Sequence, residues 1–152
     1  MLALLFLLVF IGIAIAFLLT LSKALEAVRP QNRATEPSSV WLMLIPIFNL
    51  VWPFILYKKI ATSLTAEYRS RGMSENADST YVIGVIANCC MIISTILNIS
   101  SNVSGTQQSM LASFFSLPGL IFWIIYWVQI NNHKNRVKNL PGEQGESQIF
   151  DN

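Results

Sequence analysis

The feature that most limits what this chain can fold into is the grouping of its apolar residues. They fall into four blocks, 1–21, 40–57, 80–99 and 109–130, separated by short polar stretches. Blocks of about 18 to 20 residues match the length a helix needs to cross roughly 30 Å of hydrocarbon. The average composition agrees: 53% hydrophobic and only 12% charged residues, with a mean hydropathy of +0.52, leave too little charge for a soluble domain of this size. The expected architecture is an all-α membrane protein with four transmembrane helices, one membrane domain over 1–138 and a polar, disordered tail over 139–152.

The net charge is +2, and the basic residues stand beside the apolar blocks. That placement suits attraction to a membrane surface and gives no footprint for nucleic acid. Cys89 and Cys90 are neighbours inside an apolar block, with no CxxC or Cys/His spacing; packing between helices explains them better than a disulfide or zinc. No catalytic, metal or cofactor constellation is expected. His133, the one histidine, follows the last block among cations and suits a headgroup contact.

The first block has no charged n-region and no small-residue cleavage site before Lys23, so it reads as a retained helix that Pro30 ends. The second block holds WLMLIPIFNLVWPF over 41–54. If it is helical, Pro46, Asn49 and Pro53 stand at i, i+3 and i+7 and form one bent, polar face. Each proline leaves a carbonyl one turn back unpaired, which in lipid must find protein, water or Asn49. Ser38 or Ser39 is placed to cap this helix, and Trp41, Trp52 and Tyr57 to anchor its ends.

An amphipathic helix is expected over 58–71, with Ile60, Ala61, Leu64 and Tyr68 on its apolar side and Gly72 as its C-terminal cap. Lys58, Lys59, Arg69 and Arg71 form its membrane-surface cations, joined by Lys134, Arg136 and Lys138 after the fourth block. Glu67 and Arg71 are four apart, an exposed pair contributing about 0.2–0.5 kcal/mol. Asn88, Thr95 and Asn98 form an interhelical polar stripe on the third helix. Pro118 and Gly119 mark a start or kink in the fourth, and Trp123, Tyr126 and Trp127 are aromatic anchors near its end.

Topology turns on 40–57. A kinked crossing requires the least unusual backbone, but it puts Lys23, Arg29 and Arg33 outside. A re-entrant segment places every Lys and Arg on the cytoplasmic side, as the positive-inside rule prefers. A kinked crossing is expected; both arrangements leave the C-terminus cytoplasmic.

RPQNR at 29–33, VWLMLIPIFNLVWPF from Val40 and SLTAEYRSRG over 63–72 together resemble a group of small bacterial membrane proteins. Their common core is a Trp followed by Pro-x-x-Asn-Leu-x-x-Pro, and the segment is similar to domain of unknown function 4328 of Bacteroidetes-type bacteria. The resemblance implies a bacterial inner-membrane location and brings no activity with it.

Proton coupling ordinarily needs an ionisable group inside the membrane, and the four segment interiors carry none. What fits the residues is a non-catalytic accessory or structural subunit of an inner-membrane complex. Its partners would be the lipid bilayer and other membrane subunits or a second copy. The alternative is an oligomeric carrier or channel for a neutral solute, with Pro46, Asn49 and Pro53 presenting free backbone groups.

Overall fold

The computed structural model describes residues 2–45, 48–103 and 110–140. Among them are four α-helices and no strand: α1 (Leu2–Ala27), α2 (Trp52–Ser70), α3 (Asp78–Val103) and α4 (Met110–Asn139). Three helical stretches, Leu4–Ala27, Asp78–Asn102 and Ala112–Asn139, are long and apolar enough to cross a membrane. The protein is therefore built as a multi-pass membrane protein around three such helices.

The fourth expected span is where the chain departs from the sequence reading. The 40–57 block is not one kinked helix: it is split among 3-10 turns at Pro37–Leu44 and Phe48–Leu50, and α2 begins only at Trp52. Pro53 stands in the first turn of α2, where its missing N–H would have had no intrahelical partner anyway. It starts a helix where a kink was expected. Asn49 lies in the Phe48–Leu50 turn, exposed, with its N–H donating to the Ile45 carbonyl at 2.9 Å. Pro46 lies outside the described residues, and no single helix carries the proposed face. Ser39 does not cap a helix either; its hydroxyl turns back to the Glu36 carbonyl at 2.6 Å.

The chain from Pro30 to Trp52 runs out and back beside α2. Ala34 N–H donates to Ser63 Oγ at 2.8 Å, and Trp52 Nε1 donates to the Ser39 carbonyl at 2.9 Å. The amphipathic helix expected over 58–71 is the C-terminal part of α2. Ile60, Ala61, Leu64 and Tyr68 are buried as the periodicity requires, whereas Lys58 and Arg69 are exposed. Gly72 ends α2 with φ of 72°. Its N–H bonds the Arg69 carbonyl and that of Met73 the Tyr68 carbonyl, the paired closure of a Schellman cap, which needs the left-handed conformation glycine adopts freely.

α3 and α4 form an antiparallel hairpin, drawn close where side chains are smallest. A Cβ at Gly84 would lie 2.8 Å from Tyr126 Cε2 and 2.9 Å from Tyr57 Cδ2; one at Gly119 would lie 3.2 Å from Cys90 Cβ. α4 continues as one helix through Pro118. α1 joins through Phe17, whose ring meets Trp123, Tyr126 and Trp127 at centroid distances of 4.9, 6.2 and 5.7 Å. These residues pack inward where headgroup anchors were expected, and Trp127 Nε1 donates to Thr20 Oγ1 at 3.0 Å. Tyr57 is likewise core, at 4% exposure.

The core lies toward one end of the bundle. It joins Phe17, Leu21 and Leu25 of α1, and Val28 just after it, to Leu56, Ile60, Leu64 and Tyr68 of α2 and to Tyr126, Ile130 and Val137 of α4. The other half of α1 is bare: Leu4 to Phe10 are between 53% and 71% exposed.

Candidate functional site

The end of the bundle that holds the core also holds its buried polar chemistry, organised around Glu67. A carboxylate here occupies a position the helical period assigns to the inner face of α2, and its side chain is 0% exposed. Burying an unpaired charge is costly, so the surroundings must supply donors. Oε1 accepts from Arg29 Nε at 3.0 Å and Arg71 Nε at 2.8 Å, and Oε2 from Asn32 Nδ2 at 2.7 Å and the Arg29 backbone N–H at 3.2 Å. Arg71 Nη2 lies 2.6 Å from Oε1. Burial by itself pushes the Glu67 carboxyl up. Hydrogen bonds from Asn32, Arg71 and the Arg29 backbone, with the Arg29 charge, outweigh that and hold it below the usual carboxylate range.

Ser70 extends the cluster, accepting from Arg29 Nη2 at 2.5 Å and Asn32 Nδ2 at 2.9 Å. Arg71 Nη1 reaches the Leu140 carbonyl at 3.2 Å, so the clasp ties the end of α1, α2 and the segment after α4. Arg33 closes the C-terminus of α1, its Nε and Nη2 donating to the Val28 and Glu26 carbonyls. The Glu67–Arg71 pair expected from the i,i+4 spacing does form. It is buried, however, because Arg29 and Asn32 arrive from 35 to 38 residues away, which helix spacing cannot show.

A second polar group lies on the next residue of α2. Tyr68 Oη and His133 Nδ1 are 2.7 Å apart, His133 Nε2 and Thr80 Oγ1 3.1 Å, and Thr80 donates to Gln129 Oε1 at 2.8 Å. Since Thr80 uses its one proton on Gln129, it accepts from His133 Nε2–H, which leaves Nδ1 to accept from Tyr68. The chain links α2, α3 and α4. His133 is thus an internal connector, where the sequence suggested a headgroup contact, and the missing signal was the third dimension.

The other expected site residues are dispersed. Thr95 Oγ1 donates to the Met91 carbonyl and Asn98 Nδ2 to the Ser94 carbonyl, each within α3. Asn88 Nδ2 is buried with no hydrogen-bond partner among the described residues, as is Tyr126 Oη. Near the far end of this seam an interhelical bond comes from Ser94, outside the expected stripe, whose Oγ donates to the Ala112 carbonyl at 2.9 Å. Of the expected surface cations, Arg71 is committed to Glu67. Arg136 pairs with Glu75 at 2.5 Å, and Lys134 donates to Asn131 Oδ1 at 2.5 Å. Lys138, like Lys58 and Arg69, is exposed.

No protein family, curated protein or solved structure matches this chain.

No group of three or more His, Cys, Asp or Glu residues able to hold a metal ion occurs among the described residues. What the arrangement does chemically is to hold the two ends of 29–67 together. Because Arg29 touches Glu67, the intervening chain leaves and returns at one end of the bundle. A straight crossing by 40–57 would separate those two residues by about the 30 Å thickness of the hydrocarbon.

Proposed function

We propose that the protein is a non-catalytic accessory or structural subunit of a bacterial inner-membrane complex. In this reading α1, α3 and α4 cross the bilayer, the N-terminus is outside and the C-terminus cytoplasmic. The 30–51 segment dips in from the cytoplasmic side and returns as α2. All ten Lys and Arg then flank the cytoplasmic leaflet, which supports the orientation. The inner-membrane assignment rests on the resemblance of 29–72.

The observation that carries the subunit role is the bare half of α1. Phe10, 71% exposed, and its neighbours from Leu4 onward take no part in the buried core among the described residues, whereas Phe17, Leu18, Leu21, Ala24 and Leu25 in the other half of α1 are buried in it. A helix that continues well past its own bundle offers a ready seam for a partner helix, held by van der Waals packing. A photo-crosslinking side chain at Phe10 is expected to give a polypeptide adduct in the native membrane, and one at lipid-facing Val128 to give lipid adducts. Lipid adducts alone at Phe10, together with a homogeneous single-chain particle by mass, would overturn the role.

A neutral-solute carrier is the second reading. What favours it is the pair of unpartnered buried polar atoms, Asn88 Nδ2 and Tyr126 Oη, on the α3–α4 seam. Unchanged solute flux in a folded Asn88→Leu variant would remove it.

A further inference from the structure

Beside α2, facing α3, is an open groove of about 430 Å³ lined by Phe54, Ile55, Lys58, Lys59, Thr62 and Tyr81. Its volume falls in the range of about 300–1,000 Å³ usual for small-molecule sites. The lining combines two opposed chemistries. Phe54 and Ile55 give an apolar wall, with Ile55 41% exposed. Lys58 and Lys59 line the same groove, chiefly through their aliphatic stems, and each stem ends in an ammonium group.

These lysines differ from the arginines around them. Arg29 and Arg71 share Glu67 and Arg136 holds Glu75, whereas no ion pair to either lysine occurs among the described residues. Lys59 Nζ instead sits 5.5 Å from the centroid of the Trp52 ring, a cation–π contact with a residue beside the groove, outside its lining. Thr62 lies four residues after Lys58 and three after Lys59, on one face of α2, and lines the groove with them. Tyr81 stands three residues into α3, which begins at Asp78, about 4.5 Å along its axis. In the membrane placement proposed above, the start of α3 lies at the cytoplasmic headgroups, which puts the lysine end of the groove at the level of phosphate and glycerol.

We infer that this groove is a binding site for one anionic phospholipid of the surrounding bilayer. The phosphate lies between Lys58 and Lys59, and an acyl chain lies along Phe54 and Ile55. The inference rests on the membrane placement given above but not on the accessory role. It also goes beyond a diffuse basic surface, since it predicts a stoichiometric, position-specific lipid.

The full chain in detergent, titrated with phosphatidylglycerol or phosphatidylcholine and weighed by native mass spectrometry, tests it. The expected result is one retained phosphatidylglycerol, favoured about tenfold or more over phosphatidylcholine, with that preference lost in K58Q/K59Q. The exposed pair R69Q/K138Q removes the same charge and is expected to leave the adduct unchanged. If K58Q/K59Q melts early, Thr62→Trp fills the groove with both lysines kept and is expected to give the same loss. Equal loss in both charge pairs, equal retention of the two lipids, or displacement by millimolar glycerol phosphate without acyl chains would each overturn the site. The Phe10 crosslink is read separately, so the lipid site and the subunit role can fail independently.

Discussion

Replacing Glu67 by glutamine probes the contact that gives this fold its topology. The substitution keeps the shape but turns an acceptor of at least four N–H groups into an amide whose own NH2 faces guanidinium donors. Hydrogen bonds to a charged group contribute about 1.5–3 kcal/mol each and neutral ones about 1, with strong non-additivity within a cluster. Breaking a buried pair by removing one partner costs about 3–5 kcal/mol. Arg29 is 27% and Arg71 16% exposed in their side chains, so water relieves them only in part and the lower half of that range is expected. At about 1.4 kcal/mol per decade, 3–4 kcal/mol raises the local opening equilibrium by two to three decades. The amides that report it are those of Arg29, held by Glu67, and Ala34, held by Ser63. Amide hydrogen exchange over 29–35, in protein embedded in lipid nanodiscs, is expected to accelerate by about 10²–10³ in Glu67→Gln. Exchange at the wild-type rate, with the variant folded, would refute the idea that this clasp returns the chain to its starting side.

The same group sets a pH dependence. Its folded pKa is depressed from the ordinary value of 4.5, so its contribution is complete above that value and is lost as pH falls through the lower folded pKa; melting followed downward from pH 5 should show the loss in wild type and not in Glu67→Gln. Gly84→Ala is expected to destabilise by about 1–3 kcal/mol, because its Cβ meets two packed tyrosine rings, whereas Gly12→Ala, with nothing within 4 Å, should leave the thermal midpoint unchanged or raised. Reporters inserted after Thr35 and after Gly72 should both give cytoplasmic signals; opposite signals would restore a crossing between them.

Much of this architecture is legible in the residues. Three apolar blocks become helices of spanning length because the hydrocarbon thickness sets one length scale for all of them. The inner face of α2 follows from the period of Ile60, Leu64 and Tyr68, and its end follows from Gly72, since a left-handed residue after a helix is nearly always glycine. The second apolar block could not be read this way. Pro46, Asn49 and Pro53 are compatible with a kinked helix or with a turn, and Pro53 fits a helix start as well as a break.

What the sequence by itself determined is therefore the solvent of this protein and the extent of its spanning helices, because both depend on local composition and spacing. The tertiary structure alone decided that 30–66 returns to its point of departure, that Glu67 is buried and that His133 joins three helices. Each of these depends on partners 35 to 65 residues distant. Such contacts form only when separate helices pack, and no pattern within one helix encodes them.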